Sequence, residues 1–218
     1  MKYKIAIDGP SGAGKSAIAR ELADRLGYEY IDTGALYRTI AYIALERGIG
    51  DAVESVLEAC DQEEIDYRNG GVLLNGKPLG DAIRTEAISQ KTSELSKHPE
   101  VRDYLLHLQR RLAEGGGIVM EGRDIGTVIL PGAEVKFFLT ASEEERARRR
   151  WLQRKEQGEA VDLETIKEDI HRRDIRDKTR EVAPLRQAED AIVIDSTDLT
   201  EEDVLDAMVA QVEKTYVL

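Results

Sequence analysis

Apolar residues recur along this chain with two different spacings, and the switches between them mark out its elements. Residues 3–8 (Tyr-Lys-Ile-Ala-Ile-Asp) form a short, largely apolar run that enters glycines, as a buried strand does. From residue 14 to 26 the spacing turns helical, with Ile18, Ala19, Leu22, Ala23 and Leu26 on one face and Gly27 as a stop. The alternation continues with a strand at 28–32 and a helix from Ala35 to Arg47, ended by Gly48. A short helix through Ala59 follows, with Asp51 as its predicted cap. Near residue 62 the rhythm changes. Asn69-Gly70 and Asn75-Gly76, set between Ile65-Asp66-Tyr67-Arg68, Val72-Leu73-Leu74 and Pro78-Leu79, predict two hairpins and hence a small antiparallel meander.

Helical spacing resumes at 85–96 and 99–114, the latter with Pro99 in its first turn and Val101, Leu105, Leu108 and Leu112 on one stripe. Gly115-Gly116-Gly117 then breaks the chain before a strand at 118–121, and a further strand spans 135–140. Ser142 and Glu145 have the spacing of a capping box for an arginine-rich helix reaching Gln157. Gly158 and Asp162 separate it from a second charged helix at 163–178. A strand at 191–195 and a final helix capped by Thr200 and Asp203 close the pattern. Strands alternating with helices predict an α/β fold, a parallel sheet covered on both faces with ligands at the carboxyl ends of its strands. The 218 residues suit one such domain.

The first strand runs into Gly9-Pro10-Ser11-Gly12-Ala13-Gly14-Lys15-Ser16, which fits G-x-x-x-x-G-K-[ST] at every fixed position. Four specified positions match by chance in a chain of this length roughly one time in a hundred. Here the match also lies between a predicted strand and a predicted helix, the context that the chemistry needs. Glycines let backbone N–H groups converge on phosphate oxygens, and the helix directs its positive end at the same place. Lys15 supplies a mobile charge for the outer phosphates, and the Ser16 hydroxyl is a candidate ligand for Mg²⁺. A guanine-reading Asn-Lys-x-Asp is missing, since both asparagines are followed by glycine. That weakens the reading as a regulatory GTPase switch.

Composition narrows the partners. The net charge of −12 argues against a nucleic-acid polymer. Cys60 stands alone, which excludes an internal disulfide, and His98, His107 and His171 have no ligand-like spacing. The amino terminus shows no secretory pattern and no apolar run approaches a membrane span, so a cytosolic protein is expected. Nothing in the chain demands a second copy, and a monomer is expected.

Clustered arginines in so acidic a chain must serve something local. Arg38 lies in the helix after the second strand, and Arg123 and Asp124 directly follow the third. Arg173, Asp177 and Arg180 are spaced to share a helical face. Singly, each reads more readily as a solvated charge or a local ion pair. Beside a phosphate-binding loop they read as a clamp that brings two mutually repelling phosphate groups together. No carboxylate stands out as a general base. A phosphate acceptor needs none, because its second pKa of about 6 leaves it largely ionised at neutral pH. A nucleoside monophosphate is the better expectation than an alcohol. A kinase for another small acceptor and a nucleotide-binding module without turnover are the alternatives.

The chain resembles the bacterial cytidylate kinases along nearly its whole length. The likeness rests on Asp8 to Ser16, Asp32-Thr33-Gly34-Ala35-Leu36-Tyr37-Arg38, Gly122-Arg123-Asp124-Ile125-Gly126-Thr127, and Arg173-Asp174-Ile175-Arg176-Asp177-Lys178-Thr179-Arg180 followed by Ala183-Pro184-Leu185. The resemblance implies a P-loop NTPase-type kinase that phosphorylates CMP or dCMP from ATP with Mg²⁺. It implies one domain over 1–218, with a core (1–61, 85–147 and 181–218), a monophosphate-side β insert at 62–84 and a helical lid at 148–180. ATP would lie on Gly9, Pro10, Ser11, Gly12, Ala13, Gly14, Lys15, Ser16 and Ala17, under Arg149 and Arg150 of the lid. Ser93, Arg102 and Asp124 would recognise cytosine, Arg38, Arg123 and Arg180 the acceptor phosphate, and Arg173 and Asp177 the sugar. Thr33 and Tyr37 would line the same pocket, and Lys15, Arg123 and Arg180 would act on the reacting groups. Thr33 stands where many relatives have serine. Glu121 stands where some have aspartate, and its part in placing a metal is open.

Overall fold

The computed structural model describes residues 2–50, 52–156 and 158–216. Five strands form a parallel sheet: β1 (Lys4–Asp8), β2 (Glu29–Asp32), β6 (Ile118–Gly122), β7 (Val135–Thr140) and β8 (Ile192–Asp195). Their order is β2-β6-β1-β7-β8, so the chain steps from β1 past one position to β2 and later returns to the other side through β7. β1 therefore sits at the point where the winding reverses, and a crevice opens beyond its carboxyl end. The meander predicted from the two Asn-Gly pairs is present as β3 (Ile65–Arg68), β4 (Gly71–Leu74) and β5 (Lys77–Pro78). Asn69 and Asn75 both have positive φ, as tight hairpin turns demand.

Strand alternation sends side chains to two cores. Ile5, Ile7, Val119, Phe137 and Leu139 pack on one face with α1 (Lys15–Leu26) and α8 (Glu201–Tyr216), where Leu22 and Met208 are fully buried. Ala6, Ile31, Ile118 and Met120 face the other way. They meet α2 (Thr33–Glu46), α3 (Val53–Asp61), α4 (Glu86–Leu95) and α5 (Pro99–Leu112), together with Tyr67 and Val72 of the meander. α6 (Glu143–Glu156) and α7 (Leu163–Thr179) pack mainly on each other, through Ala147, Ile166 and Ile170 with Trp151 and Val161 beside them.

Several boundaries differ from those read in the sequence. α2 begins at Thr33 rather than Ala35, because Asp32 at the end of β2 caps it by accepting the Ala35 N–H at 3.0 Å. The predicted cap Asp51 and the helix end at Gln157 lie outside the described residues. Only half of the capping box at Ser142 forms. The Ser142 hydroxyl accepts the Glu145 N–H at 3.2 Å, but the Glu145 carboxylate turns instead to Arg148 and Arg149. At Thr200 and Asp203 both halves form. Arg180 lies one residue past α7, as its cap, with extended dihedrals. The turns at Gly80–Ile83 and Ile125–Ile129, the latter of π type, were not foreseen.

One glycine is dictated by the packing of the first strand. At Gly9 φ is +152°, and a Cβ there would lie 1.9 Å from the carbonyl oxygen of Leu139 in β7. Gly9→Ala should therefore lower unfolding free energy by more than about 2 kcal/mol, from backbone strain and displacement of a central strand. Chemical denaturation checks this, and a midpoint equal to wild type would mean that β7 leaves room.

Candidate active site

Three carboxylates mark the carboxyl edge of the sheet. Asp8 ends β1, Asp32 ends β2, and Glu121 pairs with Asp32 across the β2–β6 ladder. All three are buried, and each is satisfied differently. Asp8 accepts the N–H groups of Ile125 and Gly126, both at 2.8 Å, and so holds the turn that follows Asp124. Asp32 accepts from the Arg38 guanidinium at 2.6 Å, while its own N–H donates to the Tyr67 hydroxyl at 2.8 Å. Glu121 accepts from the Tyr30 hydroxyl at 2.5 Å. Burial pushes its carboxyl up, with Asp32 adding to the effect.

From Asp8 the chain passes through the glycine-rich loop into α1. Gly12 and Gly14 have φ of +80° and +89°, and Gly14 is the left-handed cap of the helix. Lys15 folds back over the loop and donates to the Pro10 carbonyl at 2.8 Å. Burial, then the neighbouring Arg123 charge, lowers its pKa to about 7. Ala17 lies in the first turn of α1. A cavity of about 170 Å³ adjoins the loop, lined in part by Ala13, Gly14, Leu139, Arg149 and Ser196. Arg149 is fastened there by Glu145 at 2.8 Å, the Ser196 hydroxyl at 3.0 Å and the Ser196 carbonyl at 2.6 Å. Arg150 donates to Gln153 at 2.8 Å; burial, then Arg154, lowers its pKa. A larger hollow of about 450 Å³ along α6 and α7, lined by Glu143, Glu164, Lys167, Glu168, His171 and Arg172, contains none of these residues.

Most of the remaining predicted residues converge from four segments. Asp124 lies 4% exposed between Arg102 of α5, which donates to one carboxylate oxygen, and Arg180, which donates to the other at 3.2 Å. The Arg102 guanidinium also stands 5.5 Å from the centre of the Tyr37 ring. Arg123 donates to Asp177 at 3.0 Å. Burial opposes ionisation of Asp177, but Arg123 and Arg173 outweigh it, and its pKa falls. Burial and then Arg123, with Arg38 and Arg150 contributing, bring Arg173 down to about 10, so it remains cationic at neutral pH. The Thr33 hydroxyl donates to the Glu121 carbonyl at 2.7 Å. Ser93 sits on α4 and accepts from Arg176 of α7.

Asp8, Asp32, Arg146 and Arg176 carry contacts at the site that the motif reading did not assign. Asp32 had a detectable signal, since an aspartate just before a helix is a preferred cap. The others bond across large sequence separations and leave no local trace. Among the described residues no group of three or more His, Cys, Asp and Glu side chains could hold a metal ion. No described helix is long and apolar enough to cross a membrane.

A parallel sheet whose first strand enters a glycine-rich loop and then a helix, with a basic cluster beyond its carboxyl edge, defines a P-loop protein. The family model of cytidylate kinase matches residues 5–214. The cytidylate kinase of Geobacter sulfurreducens is 54% identical over 209 residues, covering 94% of this chain and 90% of that protein. The cytidylate kinase of Bacillus subtilis is 47% identical over 218 residues, covering 98% and 97%. In fold alone, an uncharacterized protein from Eubacterium ventriosum is similar at a TM-score of 0.57 and 12% identity, over 97% of this chain and 99% of that one. The chain belongs to the cytidylate kinase family.

The Asp8 carboxyl gives a pH signature. Burial raises it from its ordinary 3.8 to about 6 despite the two N–H bonds it accepts. The folded state then holds this proton more tightly than the unfolded chain does. The resulting stability is complete below the unfolded pKa and disappears as pH rises through the folded one. Two units correspond to about 3 kcal/mol. Unfolding free energies measured between pH 4 and pH 7 should show wild type gaining on Asp8→Asn by up to that amount as pH falls. Parallel pH profiles for the two proteins would contradict the shift.

Proposed function

We propose that this protein transfers the γ-phosphoryl group of ATP to CMP or dCMP, yielding ADP and CDP or dCDP. The observation that carries this reading is the family match over residues 5–214, which takes in both the phosphate loop and the arginine cluster. ATP would lie with its phosphates among the N–H groups of Gly9 to Ala17 and against Lys15. Its base side would face the cavity bounded by Arg149 and Ser196. The acceptor phosphate would be held by Arg38, Arg123 and Arg180. Arg38 suits this part because its buried Nε has no partner among the described residues. Arg173 and Asp177 would reach the sugar, and Thr33 and Tyr37 would wall the pocket.

Cytosine would be read by Ser93, Arg102 and Asp124. A carboxylate accepts the exocyclic amino group of cytosine and repels the oxygen that uracil carries there. Arg102 and Arg180 hold Asp124 in place for that task. Phosphoryl transfer then depends on aligning two anions and neutralising charge as the group moves, without proton abstraction by the protein. Lys15, Arg123 and Arg180 would supply that neutralisation. Residues 148–180 would act as the lid that brings Arg149 and Arg150 over ATP and excludes water, since α6 and α7 share only a small apolar core.

A divalent metal fits the same place. The Ser16 hydroxyl and the Glu121 carboxylate are hard oxygen donors of the kind Mg²⁺ accepts together with phosphate oxygens and water. When bound, Mg²⁺ supplies charge neutralisation at the β- and γ-phosphates. We further propose that the enzyme works in the cytosol as a monomer.

The deciding assay measures ADP release with CMP, dCMP, UMP, AMP and GMP. CMP or dCMP should be the preferred acceptor, and equal or faster turnover of AMP or GMP would refute the base assignment. Asp124→Asn should narrow the CMP to UMP ratio of kcat/KM by about tenfold or more, the scale of one charged hydrogen bond. A ratio equal to wild type in folded protein would remove Asp124 from base reading.

A further inference from the structure

Arg146 lies outside the motifs that define the site, yet it is 4% exposed and bonds to three separate segments. Its Nε donates to the Ala141 carbonyl at 3.0 Å, at the root of its own helix α6. Nη1 donates to the Ser11 carbonyl of the phosphate loop at 3.0 Å and to Asp174 of α7 at 3.2 Å. Nη2 donates to the other Asp174 oxygen at 2.6 Å. The loop approaches so closely that a Cβ on Gly12 would lie 3.1 Å from Arg146 Cβ and 3.2 Å from the Arg146 carbonyl oxygen.

The bond to Ser11 has a geometric consequence. A trans peptide directs its C=O and N–H to opposite sides. Drawing the Ser11 carbonyl toward α6 therefore turns the Gly12 N–H away from α6. Gly12 has φ +80° and no Cβ, so nothing intrinsic prevents the 11–12 peptide from rotating. A rotated peptide would present a carbonyl oxygen where an anion needs a donor.

We propose that Arg146 is a positioning residue for the phosphate loop, holding the Ser11–Gly12 peptide in the orientation that binds the ATP phosphates. Asp174 keeps the guanidinium in place, so the loop is tied to the helix that carries Arg173 and Asp177. This rests on ATP being the ligand of the loop, as proposed above. The phosphates themselves are not touched by Arg146, whose donors face protein oxygens.

A simple removal of Arg146 would strand a buried carboxylate and could prevent folding, so the informative variant removes both charges. In Arg146→Met/Asp174→Leu the buried pair becomes apolar while the Ser11 carbonyl loses its donor. ATP and CMP affinities are measured by isothermal titration calorimetry, beside thermal midpoints, for this variant, for Arg146→Lys and for Val56→Ala. Val56 is a buried residue of α3 in the opposite core and controls for lost stability. The expected result is ATP binding weakened by about tenfold in the double variant, with CMP binding within about twofold of wild type. Arg146→Lys should fail to restore ATP affinity, because an ammonium lacks the fork that spans Ser11 and both Asp174 oxygens. Val56→Ala should lower the midpoint and leave ATP affinity unchanged.

Wild-type ATP affinity in the double variant would overturn the inference, and so would wild-type affinity in Arg146→Lys if the double variant does not fold. Equal weakening for ATP in Val56→Ala would also overturn it, by assigning the effect to stability alone. Failure of the wild-type protein to bind ATP would instead refute the proposed function.

Discussion

Crowding of negative charge at one edge of the sheet is the constraint from which the rest of the architecture follows. Parallel register brings Asp8, Asp32 and Glu121 to the ends of three adjacent strands, in surroundings that largely exclude water. Carboxylates so placed repel one another and resist ionisation unless each has its own compensation. Backbone N–H groups of the turn after Asp124 compensate Asp8, Arg38 compensates Asp32, and the Tyr30 hydroxyl donates to Glu121. Satisfying these acids draws the turn after Asp124 and the start of α2 to the same edge.

The next layer repeats this logic with the signs reversed. Arg102, Arg123 and Arg180 are each held by a carboxylate from another segment, Asp124 or Asp177. A buried guanidinium without such a partner would be strongly destabilising, whereas a paired one is held in a single geometry. Arg173 lies among these charges, its pKa lowered by burial and then by Arg123, with Arg38 and Arg150 contributing and Asp177 opposing. A basic focus inside a chain of net charge −12 thus rests on local placement, not on composition.

Cohesion is unevenly distributed. The two main cores lie on either face of the sheet and include its central strands, while α6 and α7 share only a few apolar residues. Polar links join that pair to the remainder, among them Arg149 to Ser196, Arg154 to Glu86 and Arg176 to Ser93. Attachments of this kind exchange for water or substrate oxygens more readily than apolar contacts do, so a lid role is physically reasonable for this element.

Much of this was legible in the chain. Apolar spacing located the strands and most of the helices, and the two Asn-Gly pairs located the meander, because turn chemistry and periodicity are local properties. The phosphate loop could be read outright, since its function depends on consecutive backbone groups. The start of α2 was misplaced by two residues only because Asp32 serves both strand and helix. The pairing of Asp124 with Arg102 and Arg180, the grip of Asp8 on the turn after it and the reach of Arg146 to Ser11 were decided by the tertiary structure. Those contacts join residues 22 to 135 positions apart, and a side chain's partner at such range is set by strand order and helix packing, which spacing along one chain does not encode.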